Sequence, residues 1–471
     1  MTKRVLFTTS YKIKDPRLYG DVYDYPRVYQ RRILYMSGRR EVSTGLRFIT
    51  YNIPDVKILE FPTWSEYVNT LRQGWDIVGF SFYTWETPEI LQMIKEARRQ
   101  DVKEVWGGNY GVLTDGIEKR FDRIFIGYAE REIANALGKK LDVVRHPPIF
   151  SFTGFLKFRI IPTGLLFVTR GCGIGCRFCH TTIFAPKPEK VPLESIEKVV
   201  RYYKSAGIDK ILILDEFFGM IPSHAKAVAE VLCKYGMHWR AMTRPGFLFQ
   251  HLDEWEEMGF NGCLIGIESL SQEVLDEYSK SYNLRENLEL IRRLQEKNIA
   301  ITGYYIIGAE KDTRDTIKRD IKKLASLKLD TTQINILTPL PKTSLWDEIE
   351  NKYGIFEKNW SKFDQHHLVW NHPNIKPDEM ENLLDWGLKI CHPNTGVLRT
   401  WLKSLKTYNS ERRFLGGLRY YMKSILRSYQ MDYTTRFFGQ QRTRWPELEI
   451  YTPDWMVRTG AEHKHSTEKP K

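Results

Sequence analysis

The sequence predicts an α/β protein: a doubly wound parallel sheet, then an incomplete (β/α)6 barrel, then a mainly helical C-terminal extension. Three observations carry this expectation. Short β-rich runs alternate with helical patterns through about residue 345, paired prolines interrupt the alternation at Pro147 and Pro148, and beyond residue 345 the rhythm stops. A chain of 471 residues, 42% hydrophobic and 27% charged, can bury more than one core and suits two or three domains.

The first series covers residues 1–145. Its strands read Val5-Leu-Phe-Thr-Thr, Val56-Lys-Ile-Leu-Glu-Phe, Ile77-Val-Gly-Phe-Ser-Phe, Val102-Lys-Glu-Val-Trp-Gly-Gly and Ile124-Phe-Ile-Gly, the rhythm of a flavodoxin-like sheet. Thr87-Pro-Glu opens a helix with an N-cap, a proline at the first helical position and an acid in the first turn. Its apolar face is expected to be Ile90, Leu91, Ile94 and Ala97. Arg145-His-Pro-Pro-Ile-Phe reads as a linker, because paired prolines neither continue a helix nor sit in a central strand.

The second series spans residues 155–345. Its strands begin at Gly164, Lys210, Trp239, Gly262, Ala300 and Thr332, separated by helices such as Leu193 to Ser205, Gln272 to Ser279 and Glu286 to Lys297. Six βα units exceed one nucleotide-binding half and fall short of eight, which predicts a partial TIM-like barrel with its site at the C-terminal strand ends. Residues 346–461 are expected to form a helical, basic and aromatic region, and 462–471 a disordered tail.

No stretch approaches the roughly 20 apolar residues that cross a bilayer. The start, Met-Thr-Lys-Arg-Val-Leu-Phe, runs into a strand pattern instead of a signal peptide, so the protein is expected in the cytoplasm. Six cysteines are too few for a disulfide scaffold. Cys233 and Cys263 read as small buried hydrophobes, and Cys391 also stands alone.

Cys172, Cys176 and Cys179 crowd into Thr169-Arg-Gly-Cys-Gly-Ile-Gly-Cys-Arg-Phe-Cys-His. Gly171, Gly173 and Gly175 interleave with them, supplying left-handed dihedrals and close backbone approach for a loop that wraps a cluster. Three thiolates on a four-iron cluster leave one iron open to a substrate or cofactor. A zinc knot would want a fourth ligand at regular spacing, and His180 adjoins Cys179 without room to turn back.

This Cys-x3-Cys-x2-Cys loop resembles that of the radical S-adenosylmethionine (SAM) superfamily. The resemblance covers about residues 160–345 and implies a [4Fe-4S] cluster on Cys172, Cys176 and Cys179 whose open iron chelates SAM. One electron from an external donor of flavodoxin or ferredoxin type then releases a 5'-deoxyadenosyl radical that abstracts hydrogen from unactivated carbon. On the same resemblance Phe178 packs by the adenine, although as a bare residue it is equally a core phenylalanine. Asp215 and Glu216 stand at the SAM-amine turn, Glu268 and Ser269 in Gly266-Ile-Glu-Ser-Leu-Ser reach the ribose or methionyl end, and Arg244 is a further SAM contact.

Trp75-Asp-Ile-Val-Gly-Phe-Ser, Val105-Trp-Gly-Gly-Asn and Ile126-Gly-Tyr-Ala-Glu-Arg-Glu are similar to cobalamin-binding domains fused to radical SAM cores. No Asp-x-His-x-x-Gly occurs, and His146 is the sole histidine before the cysteine loop. Two readings stay open: cobalamin bound without a histidine ligand, or the fold kept without the cofactor. Gly107 and Gly108 admit a cofactor tail or simply make a tight turn.

Residues 395–445 hold eleven Arg or Lys against Glu411 and Asp432, and much of the net charge of +13 sits there. Arg419, Lys423 and Arg427 recur along one helical face, which suits an anionic membrane, RNA phosphates or a solvated cap on the barrel. The architecture is similar to hopanoid methylases and archaeal tetraether-lipid ring and calditol synthases. From it a membrane lipid is the expected substrate, with peripheral contact at the inner face of the membrane and no nucleic-acid partner. The alternative is a cobalamin-dependent C-methyltransferase acting on a peptide or natural-product precursor. Methylthiolation of tRNA would want a second cysteine trio, and residues 1–171 contain no cysteine.

Overall fold

The computed structural model describes residues 3–11, 42–155, 158–280, 283–391, 441–442 and 449–450. Strands β1 (Val5–Thr8), β2 (Val56–Leu59), β3 (Ile77–Ser81), β4 (Glu104–Gly108) and β5 (Arg123–Ile124) form a parallel sheet in the order β2-β1-β3-β4-β5. This is the flavodoxin-like order, and its switch point between β1 and β3 is where open α/β sheets bind ligands. Alternation puts Val5 and Phe7 in one apolar layer with Ile58 and Trp106, and Leu6 in the other with Val78, Phe80 and Met93. With both faces covered, the inner strands β1 and β3 are nearly continuous apolar runs, whereas the edge strands β2 and β5 carry the exposed Lys57 and Arg123.

Helices α1 (Thr44–Asn52), α2 (Trp64–Leu71) and α3 (Thr87–Arg99) cover the sheet. Around α3 the structure differs from expectation. Glu86 is the N-cap, and the Thr87 hydroxyl donates to the Thr84 carbonyl at 2.7 Å because a short 3-10 turn runs directly into the helix. Met93 replaces Leu91 on the buried face, while Leu91 is exposed.

Helix α4 (Glu130–Ala136) ends the first series, and a hairpin of β6 (Ile149–Phe155) and β7 (Phe158–Leu166) begins the second. The paired prolines do mark a break, yet the chain enters a strand at once. Tyr203 fixes it: Ile149 N–H donates to the Tyr203 hydroxyl at 2.8 Å, and that hydroxyl donates to Leu165 O at 3.0 Å. His146 is buried just before the hairpin, its Nε2 accepting from Phe167 N–H at 2.9 Å. Burial pushes its pKa down to about 3, so the ring is neutral and structural.

After the short antiparallel pair β8 (Thr169–Arg170) and β9 (Glu189–Lys190) come β10 (Lys210–Ile213), β11 (His238–Thr243), β12 (Phe260–Glu268), β13 (Ala300–Ile307) and β14 (Thr331–Ile336). The sheet order is β14-β13-β12-β11-β10-β7-β6, with six parallel strands and β6 antiparallel at one edge. This is the partial barrel. Met380, Leu383, Leu384 and Leu388 of a later helix, Pro377–Cys391, join its core. Cys263 is buried as expected, but Cys233 is exposed in the last turn of its helix.

The basic amphipathic helix expected around Arg419, Lys423 and Arg427, and the tail at 462–471, lie outside the described residues. Among the described residues no helix is long and apolar enough to cross a membrane.

Candidate active site

β8 feeds the cysteine loop just past the end of β7. Gly171 turns at φ +92°, where an added Cβ would stand 2.6 Å from Lys187 O, and Gly175 turns at φ +81°. Gly173 differs, since an added Cβ there meets nothing nearer than 3.5 Å. Cys172 N–H donates to Ala185 O at 3.0 Å, tying the loop to the segment that follows it, and Cys179 N–H donates to Cys176 O at 3.1 Å, a turn within the loop.

All three cysteines are free and partly buried. Burial above all pushes the Cys172 and Cys179 thiols up; Cys176 adds to both, and Cys179 adds to Cys172. Among the described residues no three His, Cys, Asp or Glu side chains converge on a single ion. A cubane asks for something else: each thiolate binds a separate iron, so the sulfurs ring a volume instead of meeting at a point. His180 turns away, its Nε2 2.9 Å from Pro341 O. The donor set therefore fits a four-iron cluster with one open iron.

Asp215 does not reach a cavity. It is fully buried, and its carboxylate accepts from Val168 N–H at 2.6 Å and Thr169 N–H at 2.8 Å. Burial pushes its carboxyl well up. Its work is to fasten the backbone between β7 and the cysteine loop. Glu216 accepts from the Tyr128 hydroxyl and, at 3.0 Å, from Gly171 N–H.

At the barrel mouth a cavity of about 210 Å³ is lined by Phe178, Met242, Glu268, Tyr304 and Asn335. Phe178 packs edge-on against Tyr278, with Lys280 Nζ 5.3 Å from its ring centre. Glu268 sits at a break in the β12–β13 register with φ +58° and pairs with Lys280 at 2.7 Å. A left-handed glutamate costs on the order of 1–3 kcal/mol and aims the carboxylate inward at the strand end. Ser269 is buried, accepting from Ser271 N–H at 3.1 Å, and Arg244 caps a helix and donates to Lys280 O. The structure thus brings Phe178 and Glu268 together and keeps Ser269 and Arg244 in the supporting wall.

A larger cavity of about 490 Å³ opens between the two sheets. Gly79 lines it from the middle of β3, Gly107 and Gly108 from the C-terminal end of β4, and Cys179, Glu216 and Met242 from the barrel side. An added Cβ at Gly107 would press Phe121 at 2.9 Å, whereas at Gly108 it meets nothing nearer than 3.9 Å. Gly107 is therefore a packing glycine, and Gly108 opens to the cavity. Among the described residues no histidine lines this space. Sequence reasoning assigned no role to Tyr128, Glu130, Met242 or Lys280. Tyr128 and Glu130 lie in the quoted Ile126-Gly-Tyr-Ala-Glu-Arg-Glu, but nothing local marks Met242 or Lys280.

A partial barrel that ends its first strand in three free thiols defines a class, and residues 166–324 match the family model of the Radical SAM superfamily. The chain carries a radical SAM domain and is a radical SAM enzyme, with the [4Fe-4S] cluster and SAM that this chemistry requires. It is similar to the bacteriochlorophyllide d C-12(1)-methyltransferase of Chlorobaculum tepidum, 24% identical over 341 residues that cover 66% of this chain and 74% of the relative. It is also similar to the hopanoid C-3 methylase of Methylococcus capsulatus, 21% identical over 339 residues, 62% of this chain and 64% of the relative. In fold it resembles the radical SAM methyltransferase TsrM of Kitasatospora setae, solved with cobalamin and a [4Fe-4S] cluster bound. The TM-score is 0.56 at 16% identity, covering 75% of this chain and 78% of that one.

Proposed function

We propose that this chain is a cobalamin-dependent radical SAM methyltransferase acting on a carbon atom. The observation that carries the reading is the interdomain cavity, placed at the sheet's switch point and closed on its far side by Cys179 and Glu216. Residues 1–145 then form the cobalamin-binding domain and 155–345 the catalytic core. Gly108 offers bare backbone to a broad, flat ligand, and since the described residues of the lining include no histidine, our reading has the cofactor held without an imidazole ligand.

When bound, cobalamin supplies a methyl carrier and the cluster supplies the electron that cleaves SAM. The protein's part is placement. Cys172, Cys176 and Cys179 hold the cluster, and Phe178 and Glu268 face the small cavity, where a carboxylate suits the cationic amine of SAM. Asp215, Arg244 and Ser269 hold the surrounding backbone. Both named relatives carry a carbon position in their names, which supports carbon as the acceptor. A lipid substrate is the second reading, favoured by the hopanoid relative. An external one-electron donor of flavodoxin or ferredoxin type completes the reaction.

Anaerobically reconstituted protein incubated with hydroxocobalamin and desalted should keep about one cobalamin per chain. With SAM and a strong reductant it should then form S-adenosylhomocysteine beside 5'-deoxyadenosine. Deoxyadenosine alone, with cobalamin lost on desalting, would refute the methyltransferase reading and leave radical SAM chemistry standing.

A further inference from the structure

Three consecutive residues enter the cysteine loop, and each is held from outside it. Cys172 hangs on Ala185 O at 3.0 Å. Arg170 pairs at 2.6 Å with Glu130, the first residue of α4, and its guanidinium lies 4.5 Å from the Tyr128 ring centre. Gly171 donates its N–H to Glu216 at 3.0 Å and takes a left-handed turn where an added Cβ would stand 2.6 Å from Lys187 O. Glu216 in turn accepts a hydrogen bond from the Tyr128 hydroxyl.

Tyr128 belongs to the segment that joins β5 to α4 in the first sheet. As a residue it is half-buried, but its hydroxyl is desolvated, and burial together with Glu216 raises its pKa well above the usual phenol value. It stays protonated across the working pH range and acts as a donor. Gly127 beside it comes so close to the barrel that an added Cβ would stand 2.9 Å from Phe184 O, which fixes where the phenol can reach.

We propose that Tyr128 is a positioning residue for the iron-sulfur cluster, acting through Glu216: the first sheet, by one phenol, sets the field and the geometry at the entry to the cysteine loop. The inference rests on the radical SAM assignment and is independent of cobalamin. The Glu216 carboxylate sits against the amide of Gly171, next to the first cluster cysteine, so its negative charge opposes the arrival of an electron. The phenol O–H dipole offsets part of that charge.

The signs follow. Tyr128→Phe removes the offset and should move the midpoint potential of the reconstituted cluster to more negative values. Glu216→Gln removes the charge and should move it to more positive values. If Tyr128 works through Glu216, the double variant should match Glu216→Gln alone. The readouts are a potentiometric titration followed by the electron paramagnetic resonance of the reduced cluster, with iron content and unfolding temperature held as controls. An unmoved potential in Tyr128→Phe, or the same negative shift in the Glu216→Gln background, overturns the proposal. Should Tyr128→Phe fail to fold, Glu216→Gln is read alone: a positive shift supports the proposal and an unmoved potential overturns it.

Discussion

Met242 faces two cavities at once, and they are walled in different ways. On one side, between the sheets, a volume of about 490 Å³ is bounded by strand-end glycines and aromatic rings. On the other, at the barrel mouth, about 210 Å³ is bounded by inward barrel side chains such as Tyr304, Gln333 and Asn335 and by Glu268 with its Lys280 partner. Bare backbone lets a broad ligand lie close without asking for charge. A buried ion pair beside polar side chains suits a small, charged ligand held by directed contacts. The cysteine loop belongs to both regions, since Cys179 lines the first and Phe178 the second.

The largest effect expected removes what both regions share. Changing Cys172, Cys176 and Cys179 together to alanine should abolish cluster iron and 5'-deoxyadenosine, measured by iron assay and chromatography. Deoxyadenosine at the parent level would separate the chemistry from this loop altogether.

Next comes a change confined to the larger cavity. Gly108→Leu projects into open space and should lower cobalamin retention by about tenfold or more, roughly 1.4 kcal/mol, with the cluster and SAM affinity unchanged. Gly107→Leu should instead lower the unfolding temperature, because its side chain would meet Phe121. If both variants behaved alike, the distinction between the two glycines would fall.

Glu268→Ala probes the smaller cavity. SAM affinity, by equilibrium dialysis, should weaken by up to about tenfold, or ~1.4 kcal/mol, with normal iron and cobalamin content. Normal SAM affinity would take Glu268 out of the binding site and leave it as the partner of Lys280.

A last effect lies outside both. The pKa of His146 in the fold is about 3, below its ordinary value of 6.5, so the unfolded chain binds the extra proton. Stability from this group is complete above pH 6.5 and is lost as pH falls toward 3. At pH 5.5 the loss is about 1.4 kcal/mol. His146→Gln should flatten that part of the dependence of unfolding temperature on pH between 7.5 and 5.5. Parallel curves for parent and variant would show that His146 titrates alike folded and unfolded.

The strands of both sheets were legible because a strand buried on both faces is a short apolar run with a clear end, as Val5–Thr8 and Ile77–Ser81 are. The hairpin at Ile149 was not, because its anchor is Tyr203, more than fifty residues away. The cysteine loop could be read because three thiols within eight residues are a local pattern. Asp215 could not be told from Glu216 by position: both follow the same strand, and only the fold shows one carboxylate turned to the Val168 and Thr169 amides and the other to Tyr128. Lys280 is likewise a product of folding, brought to Glu268 by a turn that carries no marker.

The Arg170–Glu130 pair also bears on how such chains recombine. Their side chains are 4% and 3% exposed, and removing one partner of a buried pair costs about 3–5 kcal/mol. A barrel transplanted from residue 146 onward would carry a guanidinium whose carboxylate stayed behind. The proline pair thus looks like a seam but is a poor crossover point. A shuffled descendant is expected to keep its stability only where the incoming first half brings an acid at 130 and an aromatic ring at 128, so the two halves are inherited as a unit.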